Sequence, residues 1–340
     1  MAERADVVVV GGGVMGLAAA RALARAGREP VVLEQFRVGH TRGSSHGATR
    51  IFRLAYDEPG WVRLAQEALP LWRELEAESG EKLLDVTGLI DLVADPAPLV
   101  QTLDATGTAY ELLTAEEAQH RFGLATQCCK VVWQPDAGVV LADRAVQAFR
   151  SGLDVREDTR ALTLAPRGRS VGLETDRGLI DASVAVVAAG AWARPLLAEA
   201  GVELPVLPTR ETVSYFRLAD ERPIPSVIDY EHRETYALAA GPSVLKVGVH
   251  RTGPPTDPDE PGAPDDAIVE FASEWAARTF QLAESTPVAV ETCLYTNTAD
   301  ASFVVERHGP IVVCSACTGH GFKFAPAVGK RVAELVTAPA

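Results

Sequence analysis

Five segments of the chain carry residue types that could do chemistry. In the first, Gly11-Gly12-Gly13-Val14-Met15-Gly16 lies between an apolar run at 7–10 and an alanine-rich stretch reaching Ala26. A second apolar run, 30–33, ends in Glu34, 18 positions after Gly16. A GxGxxG between a strand and a helix, followed by such an acid, is the fingerprint of an adenine-dinucleotide site. Gly11 serves the tight turn, Gly13 lets the backbone approach a pyrophosphate, and Gly16 permits close helix–strand packing. Val14 and Met15 open a helix whose N-terminus faces the phosphates, and Glu34 can accept from ribose hydroxyls. Either FAD or NAD satisfies this pattern.

The second segment runs from His40 to Arg53 and is polar and glycine-containing. If it is helical beyond Ser44 or Ser45, then His46, Arg50 and Arg53 share one face; a solvated face is the plain alternative. In the third, Val244-Leu245-Lys246-Val247-Gly248-Val249-His250, alternation puts Lys246, Gly248 and His250 on one strand face. Lys246 and His250 stand roughly 13 Å apart there, flanking a glycine that leaves room for a ring, unless that face is solvated. The fourth, Cys293-Leu294-Tyr295-Thr296, puts Cys293 and Tyr295 on one face of a strand. A free cysteine is most often a small buried hydrophobe. The fifth, Thr318-Gly319-His320-Gly321-Phe322-Lys323-Phe324, is a glycine-rich turn before the last helix.

Together these segments resemble the monomeric sarcosine oxidase and N-methyltryptophan oxidase family. Its members are FAD-dependent amine oxidases of the D-amino-acid-oxidase-like superfamily. The matches run in order from Asp6 to about Val336, and include Gln134-Pro135-Asp136-Ala137-Gly138 and Ala188-Ala189-Gly190-Ala191-Trp192. The resemblance implies that FAD is held by Gly11, Gly13, Val14, Met15, Gly16, Glu34, Gln35, Arg42, Ser44, Ser45 and Val155. It adds Ala189, Gly190, Trp192, Gly319, His320, Gly321, Phe322 and Lys323, with Cys293 as a thioether to the flavin 8α-methyl carbon. It implies Arg53 and Lys323 as a clamp for the carboxylate of an amino-acid substrate, and His250 and Tyr236 as the lining of the substrate site. His46 and Arg50 join the catalytic group. Lys246 is implied beside the flavin, where a fixed positive charge favours the reduction of dioxygen. The expected reaction oxidises a secondary-amine amino acid, N-methyl or cyclic, to an imine with release of hydrogen peroxide. An FAD-dependent dehydrogenase or monooxygenase of a small metabolite, an NAD-dependent dehydrogenase, and a non-enzymatic flavoprotein subunit are the alternatives. Asp136 is read as structural, and Cys314 and Cys317 as packing near the FAD rather than a redox pair.

These residues need elements to position them. Apolar spacing predicts helices over 61–78 and 143–150, and strands over 88–93 and 182–189. Strands are expected to dominate 205–291, with an exposed Pro/Gly/Asp-rich loop at 253–266. At roughly 150 residues per domain, 340 residues suggest about two domains. The fold class is α/β with an α+β part: a Rossmann-like FAD/NAD(P)-binding domain interleaved with a mainly antiparallel-sheet substrate domain. The FAD-binding domain is assigned 1–82, 141–204 and 299–340, and the substrate domain 83–140 and 205–298.

The 46 acidic and 32 basic residues leave a net charge of −14, which argues against nucleic acid or an anionic membrane as a partner. Cys128, Cys129, Cys293, Cys314 and Cys317 are too few for a disulfide framework, and no His pair has metal-ligand spacing. With no targeting or membrane segment evident, the chain is expected to be cytoplasmic, monomeric and metal-free.

Overall fold

Val7, Val8 and Val9 are fully buried because the strand that holds them, Glu3–Val10, runs through the middle of a sheet. Continuous valine is what a strand covered on both faces requires. The computed structural model describes residues 2–127 and 130–338, so Cys128 and Cys129 lie outside the described residues. Among those described, the strands form two eight-stranded sheets and one of three strands.

In the first sheet, Glu3–Val10 pairs in parallel with Pro30–Leu33 on one side and Gly178–Val187 on the other. Asp154–Arg156 extends it beyond Pro30–Leu33. Gly178–Val187 changes partners along its length. Residues 178–182 pair antiparallel with Ser170–Thr175, and 185–187 pair in parallel with Ile311–Ser315. It therefore begins four residues earlier than apolarity alone indicates. Helices Val14–Arg25 and Ala325–Thr337 pack closely against each other over this sheet. Gly329 permits the approach, since a Cβ there would lie 2.6 Å from the Ala18 carbonyl oxygen.

The second sheet runs Ala289–Asn297, Leu207–Arg217, Val244–Val249, Thr235–Ala239, Ser226–Asp229, Leu89–Leu92, Val131–Gln134 and Glu111–Leu113. All neighbours are antiparallel except Ser226–Asp229 with Leu89–Leu92. The small sheet joins Thr49–Phe52, Gly138–Leu141 and Leu84–Asp85. Helix Pro59–Ser79 buries Trp72, whose indole N–H donates to the Lys323 carbonyl at 2.7 Å and so ties this helix to the glycine-rich turn. Helix Ala142–Arg150 lies where the apolar spacing put it.

Two elements differ from expectation. The stretch after Ser44 is not helical: 40–48 is a series of turns, and Thr49–Phe52 is a strand. Arg50 accounts for this, because its Nη2 donates to the Ser44 and His46 carbonyls at 2.8 and 2.6 Å, and Gly47 takes φ +100°. The second is helix Asp266–Thr279, inside the stretch read as strands. Asp265 caps it by accepting from the Ala267 and Ile268 N–H groups, and Ile268, Ala272, Trp275, Ala276 and Thr279 bury one face. That spacing was visible in the sequence. No helix among the described residues is long and apolar enough to cross a membrane.

Candidate active site

A cavity of about 1500 Å³ runs from the first glycine-rich turn to the second sheet. Small-molecule sites typically occupy about 300–1,000 Å³, so there is room for a large ligand and a second, smaller one. At one end, Gly11 has φ +110° and a Cβ there would lie 2.5 Å from the Ala188 carbonyl oxygen. A Cβ on Gly16 would run into the Gly11 carbonyl, so Gly16 packs the turn and does not line the cavity. Ser45 Oγ, 3.0 Å from the Val14 N–H, satisfies one of the orphan donors at the start of the helix. Buried Glu34 accepts from the Gly12 and Phe36 N–H groups at 2.7 and 2.8 Å, and its carboxylate still reaches the cavity. Gln35, Ala189, Gly190 and Trp192 complete this end.

Two further expected cofactor contacts are not on the cavity wall. Val155 pairs with Val32 at the edge of the parallel sheet and packs into the core. Arg42 turns away to stack its guanidinium 4.6 Å from the centroid of the Phe36 ring.

The middle of the cavity gathers Cys293, Lys246, Arg50 and His46, which come from the second sheet and from the 40–53 segment. Lys246 is 7% exposed and lies 5.9 Å from the centroid of the Tyr215 ring, whose hydroxyl donates to Glu291 at 2.8 Å. Burial, and then Arg50, push the Lys246 ammonium down to about 7, while Cys293, Glu291 and Asp143 pull it back up. Burial and the same two cations, Arg50 and Lys246, push His46 down to about 4, so its imidazole is neutral at pH 7. The Cys293 thiol is raised by burial, with Arg50 and Lys246 opposing. Arg50 spends its donors on the carbonyls of Ser44, His46 and Thr49 and therefore acts as the clamp of this loop. Cys314 is fully buried, and burial pushes its thiol up to about 12. Cys317 instead accepts weakly from the Thr296 N–H.

At the far end, Arg53 and Lys323, 270 positions apart (323 − 53), meet around one ring. Arg53 stacks 4.1 Å from the Tyr56 centroid, and the Lys323 ammonium lies 5.8 Å from it. Arg53 also receives the Tyr230 hydroxyl as a partner, and Lys323 Nζ donates to the His320 carbonyl at 2.7 Å. The Tyr56 hydroxyl is buried without a hydrogen-bond partner. Burial raises the phenol, but Lys323 and Arg53 outweigh it and hold the hydroxyl below its ordinary range. Burial lowers Lys323, with Tyr56 pulling it up. His250 follows the strand Val244–Val249 and faces Tyr295 at 5.7 Å between centroids. Burial, then Arg53, push it down to about 3. The space above Gly248 is filled by the Tyr236 phenol, so this glycine makes room for a tyrosine and not for a ligand ring.

A cradle closes this end. Gly319 has φ +80°, and a Cβ there would collide with His250 and Tyr295, while one on Gly321 would collide with the Ala316 carbonyl. The glycine turn and the buried Glu34 at one end of the cavity, and this second glycine turn at the other, fit an elongated ligand of dinucleotide size.

The family model described as FAD dependent oxidoreductase matches residues 6–335. The chain belongs to this family. It is 31% identical to the peroxisomal sarcosine oxidase of Homo sapiens over 97% of this chain and 91% of that one. It is 32% identical to the monomeric sarcosine oxidase of Bacillus sp. (strain NS-129) over 99% and 94%. Among solved structures it is similar to NikD, an unusual amino acid oxidase essential for nikkomycin biosynthesis. That likeness has a TM-score of 0.88 at 26% identity, covering 99% of this chain and 95% of NikD. The protein is thus an FAD-dependent oxidoreductase of mixed α/β fold.

In this FAD-dependent oxidoreductase several cavity residues carry no sequence signal of their own. Tyr56, on the cavity wall, and Tyr230, which partners Arg53 without lining the cavity, sit in irregular segments beyond strand ends, where no periodicity marks an inward face. Glu291 could have been found: two positions before Cys293, alternation puts it on the same strand face. Because Gly11 combines a left-handed φ with a carbonyl at 2.5 Å from a Cβ position, Gly11→Ala is expected to retain FAD about tenfold or more weakly. The flavin-to-protein absorbance ratio after gel filtration measures this, and wild-type occupancy would contradict it.

Proposed function

We propose that the protein oxidises a secondary-amine amino acid, N-methyl or cyclic, to an imine, with dioxygen as acceptor and hydrogen peroxide as product. The convergence of Arg53 and Lys323 on Tyr56 is the observation that carries this reading. It is supported by relatives named sarcosine oxidase and N-methyl-L-tryptophan oxidase. Residues 1–82, 141–204 and 299–340 are assigned to the FAD-binding domain and 83–140 and 205–298 to the substrate domain, in a monomeric, cytoplasmic enzyme.

The substrate carboxylate binds between Arg53, a planar fork, and Lys323, a point charge. Both side chains are largely buried, and a charge-assisted contact contributes roughly 1.5–3 kcal/mol. The same two cations disfavour a further positive charge beside them, so the substrate amine is held unprotonated, ready to lose electrons. His250, neutral at pH 7, and Tyr236 form the wall beside it. When bound, FAD supplies the two-electron acceptor for the amine and the donor for dioxygen. Lys246, in its protonated form, places a positive charge where dioxygen becomes negative. Arg50 holds the 44–49 turn, and with it His46 and Ser45, against the cofactor's expected path. Cys293 Sγ is assigned a thioether to the flavin 8α-methyl carbon.

Two outcomes test this. With the thioether in place, acid-precipitated wild type keeps its yellow colour and Cys293→Ala releases free FAD; wild-type flavin found wholly in the supernatant would exclude the bond. Arg53→Met should weaken binding of N-methylglycine or pipecolate about 10–100-fold, measured by anaerobic flavin titration. The decarboxylated amine should bind wild type poorly and be insensitive to the change. Equal binding of acid and amine by wild type would rule out the clamp.

A further inference from the structure

Asp91, in strand Leu89–Leu92, is fully buried, yet its Oδ1 has no hydrogen-bond partner. Its Oδ2 accepts from Gln134 Nε2. Gln134 Oε1 in turn accepts from the Leu54 and Ala55 N–H groups at 3.2 and 2.8 Å, so acid and amide together brace the backbone directly after Arg53. The unpartnered Oδ1 faces Arg53 Nη1 at 3.8 Å, beyond hydrogen-bond reach. Arg53 lines the cavity and Asp91 does not. The guanidinium therefore stands between a buried carboxylate behind it and the cavity in front.

Arg53 and Gln134 act on Asp91 directly. Tyr56 and Tyr230 bracket Arg53, and Lys323, Glu234 and His250 interact with Arg53 from around it. Burial pushes the Asp91 carboxyl up to about 7 against the pull of Arg53 and Gln134. An anion arriving in front of Arg53 adds a second carboxylate to one shared cation. The added negative charge disfavours the ionised form of the buried Asp91.

We propose that Asp91 is a positioning residue that acts through Arg53 and couples binding of the substrate carboxylate to the uptake of one proton from solvent. The inference rests on the carboxylate clamp proposed above. By linkage, the effect is reciprocal: protons strengthen anion binding, and affinity falls as pH rises through the range in which Asp91 ionises. Loss of the Lys323 charge would act in the same direction, so the variant must separate the two.

Methoxyacetate is a suitable probe, because its carboxylate stays ionised and it has no amine. Its binding to the holoenzyme can be followed by the flavin spectrum from about pH 6 to 9, where ordinary carboxylates do not titrate. Wild-type affinity is expected to fall about tenfold over that range, since one coupled proton changes affinity at most about tenfold per pH unit. Calorimetry in buffers of different ionisation enthalpy should record uptake of about one proton near the upper end. Asp91→Asn can still accept from Gln134, and should bind with nearly constant affinity and no proton uptake. A wild-type pH profile in the Asn variant, or wild-type binding without proton uptake, would overturn the coupling and leave the clamp intact. Binding of the probe to neither protein at any pH would contradict the clamp and this coupling with it.

Discussion

Uncompensated positive charge inside an acidic protein is the constraint from which the rest of the site follows. The chain carries −14 overall, yet Lys246, Lys323, Arg50 and Arg53 all face one cavity. Among the described residues, none of the four makes a close ion pair with a carboxylate; the nearest is Asp91, 3.8 Å from Arg53. Taking a charge out of water costs several kcal/mol per ion unless hydrogen bonds or a counter-charge offset it. Arg50 meets that cost with three backbone carbonyls, and Lys323 with one carbonyl and the faces of Tyr56 and Phe324. Lys246 has the ring of Tyr215. An anion entering the cavity would offset the charge that remains, and the proposed carboxylate substrate and dioxygen-derived anion are species that would supply one.

The fold supplies this arrangement by crossing chain segments. The first sheet and its glycine turn form one end of the cavity, while the second sheet brings in Lys246, Tyr236 and Cys293. The 40–53 segment and the 316–324 turn run between them and carry Arg50, Arg53 and Lys323. Trp72 links helix Pro59–Ser79 to the Lys323 carbonyl, so the position of one cation depends on a buried hydrogen bond far from it in sequence.

Legibility in the sequence varied with how local the cause was. The glycine turn was readable because φ, packing and helix start are all set within a few residues, and Gly11 and Gly16 show the left-handed φ and the close packing that pattern requires. Lys246 could be placed on a strand face but not inside a cavity, since alternation is blind to what covers the face. The family resemblance, not spacing, brought it inward. The 40–53 segment misled because a charged i, i+4, i+7 pattern also occurs where Arg50 folds back on its own carbonyls. Asp91 was invisible: a lone acid in an apolar strand is meaningful only once Arg53, 38 positions away (91 − 53), is seen beside it.

Lys246→Met, examined in separate half-reactions, tests most directly whether the buried cations are there to meet anions. The change removes the charge and keeps the stem. Reoxidation of the reduced flavin by dioxygen should slow by about 10²–10³-fold, the usual effect of removing one preorganised charge-stabilising group. Anaerobic flavin reduction by an N-methyl amino acid should change far less. An equal loss in both half-reactions would make Lys246 a general support of the pocket and contradict its role toward dioxygen.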